Sequence, residues 1–339
     1  MKMVGRNMKG IFLVDNPENI NQVYNDSEKK RLEELGVDIK NIYTKERLNS
    51  IDTNKVEFVF STWNMPKFTK EEIKIIFPNL KYIFYAAGTV KYFAEPFLEL
   101  GIEVFSADSI NAISVAEYTY AQILMANKGY FQAERFYRKR KYKKARNIAL
   151  RHKGNYQSVI GIIGAGNIGK KVIKYLANKS HEYRILVNDI MLSQSEAYEM
   201  GCELVSLGDL FKESDVISNH LPDIDSTRNI INIELMSNMK KNATLINTGR
   251  GRQIVEKDLF TVLKKRKDLT AVLDVVSHEP PLPFSKFYSL PNVFLSPHIA
   301  GSIGNENFRM GEYMLNLYER ILNNEQCKSV SKSEIYKMT

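Results

Sequence analysis

The stretch VIGIIGAGNIGKKVIKYL, Val159 to Leu176, joins an apolar run to an amphipathic one through Gly164, Gly166 and Gly169 at GxGxxG spacing. The first run reads as a buried strand and the second as a helix with one apolar face. In such a strand–turn–helix the first glycine permits the tight turn, and the second lets a pyrophosphate approach the backbone. The third lets the helix pack closely on the strand, so that its amino terminus faces the anion. Asp189 ends the next apolar run, RILVND, 20 residues after Gly169. An acid there accepts hydrogen bonds from the adenosine ribose and repels a 2′-phosphate, so the spacing predicts NAD(H) rather than NADP(H).

Outward from this loop the chain alternates strand-like and helix-like segments. SVIGIIG, RILVND, DVISNH, ATLINT, TAVLDVV and NVFLSP are six candidate strands, the count of a complete dinucleotide-binding sheet. Upstream, GIFLVD, VEFVFST, YIFYAAG and IEVFSA form an earlier series, with a polar Glu- and Lys-rich helix after the first. The alternation predicts parallel sheets flanked by helices, an α/β protein. SVAEYTYAQILMANKGYFQAERFYRKRK has apolar residues at helical spacing (Val115, Tyr118, Ala121, Ile123, Leu124, Tyr130) and reads as a helix connecting two domains. The final amphipathic segment, NENFRMGEYMLNLYERILNN, follows the sixth strand and is placed to return to the first domain.

With 339 residues, 44% apolar, the chain has material for more than one core, which favours two domains. Cys202 and Cys327 lie far apart with no CxxC, so neither a disulfide framework nor a metal site is expected. No apolar run approaches the roughly 20 residues that cross a bilayer. The opening apolar stretch GIFLV is too short for a signal-peptide core, so a cytoplasmic location is expected. The net charge of +9 is local: residues 135–153 hold ten Lys/Arg and no acid. Nucleic acid, anionic lipid or a phosphorylated ligand are possible partners for such a run. The preferred reading is a solvated or inter-subunit helix face, and Phe136, Tyr137 and Tyr142 suit packing as well as stacking.

In SHEPPLP, Ser277 to Pro283, His278 and Glu279 are neighbours. Successive side chains of an extended chain point to opposite faces, so the two do not pair, and His278 is expected at the surface. Pro280 and Pro281 keep the chain after Glu279 out of a helix. His298, in NVFLSPHIAG, follows the sixth strand as Glu279 follows the fifth, and Pro297 before it and Gly301 after it mark the turn out of the sheet. Ligands of open parallel sheets sit at those strand ends. A carboxylate beside an imidazole favours the protonated ring, which suits a proton donor near neutrality. Arg250 stands just past the fourth strand, between Gly249 and Gly251, where glycines allow close approach to a cofactor. Its guanidinium can grip a carboxylate through two parallel hydrogen bonds. His152, His181 and His220 have no carboxylate partner at useful spacing.

With these residues in this order, the chain resembles the D-isomer-specific 2-hydroxyacid dehydrogenases over nearly its whole length. GIIGAGNIGKKV, LPDIDSTRNIIN, LINTGRGRQIVEKDLF, LDVVSHEPPLP, LSPHIAGS and SINAISVAEYTYAQILMANKG carry the resemblance. It implies a discontinuous flavodoxin-like substrate domain, 1–114 and 304–339, and a Rossmann NAD-binding domain, 115–303, with the active site in the cleft. The segment 115–155 would supply the interdomain helix and the arm of a two-fold homodimer. It implies hydride transfer between NAD and a small 2-hydroxy or 2-oxo acid, without metal. The catalytic set would be Arg250 on the substrate carboxylate, His298 as acid/base and Glu279 behind it. Gly164, Gly166, Asn167, Ile168, Gly169, Asp189, Leu221, Pro222, Thr227, Thr248, Gly249, Asp274 and Gly301 would contact the cofactor, Thr248, Gly249 and Asp274 on the nicotinamide side. Gly88, Thr89 and Val90 would offer backbone groups to the substrate.

There are departures. STWNMPKF stands where family members often carry small residues, so Trp63 and Met65 are expected either at the substrate side chain or in ordinary core packing. Asn167 replaces the usual arginine of the glycine loop, and no regulatory domain is expected after the last helix. An NAD(H)-sensing protein like the C-terminal-binding-protein corepressors shares the scaffold and is the alternative; nothing in residues 1–114 announces the peptide groove it needs.

Overall fold

The computed structural model describes residues 9–177 and 181–335. The chain divides into two units, one of Met1–Asn111 with Ser302–Met338 and the other of Ala112–Gly301.

The first unit is built on five parallel strands: β1 (Gly10–Leu13), β2 (Val37–Tyr43), β3 (Phe58–Ser61), β4 (Tyr82–Tyr85) and β5 (Glu103–Ser106). Their order, β2-β1-β3-β4-β5, is that of flavodoxin-like sheets. The registers set Phe12 against Phe60, Phe60 against Phe84 and Phe84 against Phe105, so one phenylalanine ladder crosses four strands. The helix Phe308–Leu322 covers that ladder with Met310, Met314 and Tyr318. Tyr318 meets Phe58, Phe60 and Phe84 edge-on and donates its hydroxyl to the Leu35 carbonyl at 3.0 Å. The opposite face buries Ile11, Leu13, Val59, Ile83 and Val104. β2 is absent from the sequence reading because Asp38, Lys40 and Asn41 interrupt its apolar pattern. Asp38 is tolerated inside the strand because its carboxylate accepts from Tyr43 Oη, Asn41 Nδ2 and the Lys40 N–H.

The second unit holds seven parallel strands: β6 (Val159–Ile163), β7 (Arg184–Asn188), β8 (Glu203–Leu204), β9 (Val216–Asn219), β10 (Thr244–Asn247), β11 (Thr270–Leu273) and β12 (Val293–Leu295). The order β12-β11-β10-β9-β6-β7-β8 contains the doubly wound pattern, whose halves diverge between β6 and β9. The six expected strands are present, and β8 adds a two-residue edge. Both faces are buried under helices, as an all-parallel sheet requires.

The segment 114–141, read as one long helix, is two, Asp108–Asn127 and Tyr130–Arg138, and a third helix, Tyr142–Ala149, follows it. Gly129 breaks the run at φ +63°, a left-handed conformation, and any side chain there would strike the His152 ring. The stretches 139–141 and 150–153 carry five of the ten cations of the basic run, and the other five lie on the two shorter helices. They bury only Ala145 and Ile148 and expose Tyr130, Tyr137 and Tyr142.

Candidate active site

The glycine loop has the form its spacing predicts. Gly164 turns the chain out of β6 at φ +87°, and a Cβ there would stand 2.9 Å from the His220 carbonyl oxygen. A Cβ on Gly169 would stand 2.0 Å from the Gly164 carbonyl oxygen, so only glycine lets the helix Asn167–Leu176 seat on the turn. A Cβ on Gly166 would meet nothing within 4 Å, which leaves open space before the first turn of that helix. The N–H groups of that first turn have no intrahelical acceptors and suit a pyrophosphate. Asp189 follows β7, and its carboxylate accepts the Ala165 N–H at 2.6 Å and the Met191 N–H at 2.7 Å. Turn, helix terminus and acid fit a dinucleotide.

Three ionisable side chains follow three adjacent strands. In the last row of the sheet Asn247 pairs with Leu273 and Leu273 with Leu295. Arg250, Glu279 and His298 lie beyond that row on the loops that leave β10, β11 and β12. Glu279 Oε2 stands 2.6 Å from His298 Nδ1, and Glu279 Oε1 accepts the Val276 N–H at 3.2 Å. A carboxylate only accepts, so Nδ1 carries the hydrogen and Nε2 is left for proton exchange. Both side chains are partly exposed. The Glu279–Pro280 bond is cis. His278 is exposed, with its ring Nδ1 2.9 Å from the Pro280 carbonyl, and takes no part in the pair.

His298 has φ +53°, uncommon for a residue with a Cβ and costly by on the order of 1 kcal/mol. The conformation is imposed from beneath. Asp274, buried after β11, accepts the Ile299 N–H at 3.0 Å, the Ala300 N–H at 2.9 Å and the Ser296 hydroxyl at 2.6 Å. Its own carbonyl accepts the His298 N–H at 3.0 Å. Ser296 Oγ in turn lies 2.8 Å from Tyr118 Oη, on the helix Asp108–Asn127, and burial raises the Tyr118 phenol above its ordinary range. The Asp274 carboxylate is thus engaged by the histidine loop.

Arg250 is half-buried, and one guanidinium nitrogen donates to the Gly249 carbonyl at 2.8 Å. The flanking glycines serve the protein's own packing. A Cβ on Gly251 would lie 1.9 Å from the Val276 carbonyl carbon, so the arginine loop rests against the backbone that leads to Glu279. A Cβ on Gly249 would stand 2.8 Å from Gln253 Oε1. Thr248 Oγ1 lies 3.0 Å from Thr119 Oγ1, and Thr227 Oγ1 donates to the Pro222 and Ile224 carbonyls, closing the loop that begins at Leu221. Gly301 ends this unit. His220 is buried with Nε2 2.9 Å from Ser218 Oγ, and burial pushes its pKa down to about 3, so the ring is neutral.

Trp63 and the Gly88–Val90 turn belong to the first unit. Val90 and Met65 are core residues, and Trp63 packs partly buried against both faces of the sheet. Met65 therefore follows the core-packing reading. Sequence reasoning missed Tyr118 and Ser296; their hydroxyls carried no pattern. Among the described residues no group of three or more His, Cys, Asp or Glu is arranged to hold a metal ion. No helix among them is long and apolar enough to cross a membrane.

Residues 120–300 match the model of the D-isomer specific 2-hydroxyacid dehydrogenase NAD binding domain. The chain is 33% identical over 306 residues to a D-3-phosphoglycerate dehydrogenase of Methanocaldococcus jannaschii, covering 89% of this chain and 56% of that protein. It thus spans little more than half the length of that relative. It is 35% identical over 225 residues to a hydroxypyruvate reductase of Thermotoga maritima, covering 66% of this chain and 70% of the reductase. In fold it is similar to Rhodotorula graminis D-mandelate dehydrogenase, with a TM-score of 0.79 and 20% identity over 96% of this chain and 98% of that one.

Proposed function

Because the chain belongs to the D-isomer-specific 2-hydroxyacid dehydrogenases and carries their NAD-binding domain, we propose that it interconverts a small D-2-hydroxy acid and its 2-oxo acid. The observation that carries the reading is the 2.6 Å contact of His298 with Glu279, on loops beside the one that bears Arg250 and in the same unit as the glycine turn. NAD(H), when bound, supplies or takes up the hydride. Gly166, Asn167 and Ile168 would hold its pyrophosphate and Asp189 its ribose.

The remaining work falls to this chain. Arg250 binds the substrate carboxylate and draws electron density from the adjacent carbonyl, a fixed positive charge where negative charge develops. His298 Nε2 delivers the proton to the carbonyl oxygen as it becomes a hydroxyl, and removes it in the reverse direction. Glu279 keeps Nδ1 protonated and balances the imidazolium. The relatives are named for phosphoglycerate, hydroxypyruvate and mandelate, which share the 2-hydroxy or 2-oxo acid head and differ beyond it. That head is what Arg250 and His298 read. A substrate role for Trp63 and the Gly88–Val90 turn rests on the family resemblance alone. The tyrosines exposed on the helices 130–138 and 142–149 support a homodimer through that arm, to be checked by light scattering.

The test is NADH oxidation by the purified protein against a panel of 2-oxo acids, with His298→Ala in parallel. Turnover of one compound, lost in the variant, is expected. Tight NADH binding with no turnover of any 2-oxo acid would overturn the reading in favour of an NAD(H)-sensing protein.

A further inference from the structure

Three buried carboxamides meet beneath the arginine loop: Asn219 at the end of β9, Asn247 at the end of β10, and Gln253, all fully buried. The Gln253 carboxamide uses every hydrogen-bonding position it has. Its Nε2 donates to the Leu221 carbonyl at 2.6 Å and to the Pro222 carbonyl at 3.0 Å. Its Oε1 accepts the Arg250 N–H at 3.0 Å and also Asn219 Nδ2. Asn219 Nδ2 gives its second hydrogen to Asn247 Oδ1 at 2.9 Å. Asn247 Oδ1 accepts the Gly249 N–H at 3.2 Å, and Asn247 Nδ2 donates to the Arg250 carbonyl at 3.2 Å.

Arg250 is therefore gripped at both of its backbone polar groups, the N–H by Gln253 and the carbonyl by Asn247. Gly249 is small enough to let this happen, since a Cβ there would stand 2.8 Å from Gln253 Oε1 and 3.0 Å from Asn219 Nδ2. A long, flexible arginine reaches a fixed point only if its Cα is fixed. A buried polar cluster with every member satisfied supplies such rigidity, because any displacement leaves several groups unpaired at once. Residues 221 and 222 are fastened to the same carboxamide, so the turn after β9 and the arginine loop after β10 move as one piece.

From this we infer that Gln253 is a positioning residue for Arg250 and sets how squarely the guanidinium meets the substrate carboxylate. The inference rests on the reading of Arg250 as the carboxylate-binding group. Gln253→Met keeps the volume and removes the grip; Gln253→Glu keeps acceptors for Arg250 and Asn219 but turns an oxygen toward the Leu221 and Pro222 carbonyls, which should lower its melting temperature.

The experiment is a double-mutant cycle on the purified protein, with the 2-oxo acid that the wild type turns over, using Gln253→Met, Arg250→Lys and the pair. Melting temperature and NADH affinity by fluorescence titration are recorded for each. Gln253→Met is expected to raise KM for the 2-oxo acid and to lower kcat/KM by about 10- to 100-fold, the scale of a small misplacement of a binding group. NADH affinity should change far less. Gln253→Glu should retain more of the wild-type KM, and the double variant should be no worse than Arg250→Lys alone. Multiplying losses, or a wild-type KM in Gln253→Met, would overturn the inference while leaving the proposed function standing. If the wild type reduces no 2-oxo acid, the functional reading falls and the inference with it. Should Gln253→Met fail to fold, Gln253→Glu takes its place in the cycle: a loss that disappears beside Arg250→Lys supports the inference, and one that multiplies defeats it.

Discussion

Glu279 and His298, nineteen positions apart in the chain, meet at 2.6 Å because β11 and β12 are parallel neighbours whose loops leave the same edge of the sheet. The pair is made by strand order.

That geometry sets the first expectation. His298→Ala should lower kcat/KM by about 10²- to 10⁴-fold, the usual value of a positioned proton donor. Glu279→Gln still accepts the Nδ1 hydrogen but no longer balances the imidazolium, so its loss should be smaller, about 10- to 10³-fold. Steady-state kinetics with matched melting curves decide it. An unchanged kcat/KM in Glu279→Gln would remove the carboxylate from the mechanism.

Asp274 receives two backbone N–H groups and a hydroxyl from the histidine loop. Asp274→Asn turns an amide NH₂ toward donors, and should cost about 1–3 kcal/mol. In a domain of this size each kcal/mol lowers the melting temperature by about 2–4 °C. Calorimetry reads the loss, and turnover should fall with it because His298 is released from its left-handed conformation.

His220 predicts an acid limb in stability. In the unfolded chain an imidazole titrates near about 6.5, whereas in the fold burial holds it at about 3. Between those values the unfolded state binds one more proton, so stability falls as pH drops below the unfolded value. The slope is at most about 1.4 kcal/mol per pH unit. Urea unfolding of His220→Gln between pH 6 and pH 4 should show a shallower decline than the wild type. Parallel slopes would refute it.

Asp189 places a negative charge after β7, beside the glycine turn. A 2′-phosphate brought there is repelled by about 1–4 kcal/mol. Asp189→Ser should therefore narrow the preference for NADH over NADPH by on the order of 10- to 100-fold. The ratio of kcat/KM for the two cofactors is the measurement, and an unaltered ratio would place the discrimination elsewhere.

The strands with β-branched, uninterrupted runs were legible in the sequence, as were the glycine turn and the residues at the strand ends, because each has a fixed place in a βα unit. β2 and β8 were not: one carries an aspartate satisfied by its own strand, and the other is a two-residue edge. The break at Gly129 was hidden because one glycine within an apolar periodicity does not announce a left-handed turn. At Gly249 and Gly251 an added Cβ would meet the protein's own atoms, a close packing that the spacing of glycines around Arg250 does not disclose. Asn219, Asn247 and Gln253 gave no signal at all, since carboxamides scattered over the sequence look like surface until the sheet gathers them.

β12 has three residues and, among the described residues, pairs only with β11, so the loop that carries His298 leaves a border strand of its sheet. Border strands open at lower free energy than the centre of a domain. As the temperature rises, Val293–Leu295 is therefore expected to detach before the central β6, carrying the imidazole out of reach while the glycine turn is still intact. The protein would pass through a state that holds its cofactor and does no chemistry, and its heat inactivation curve would lie below its melting curve.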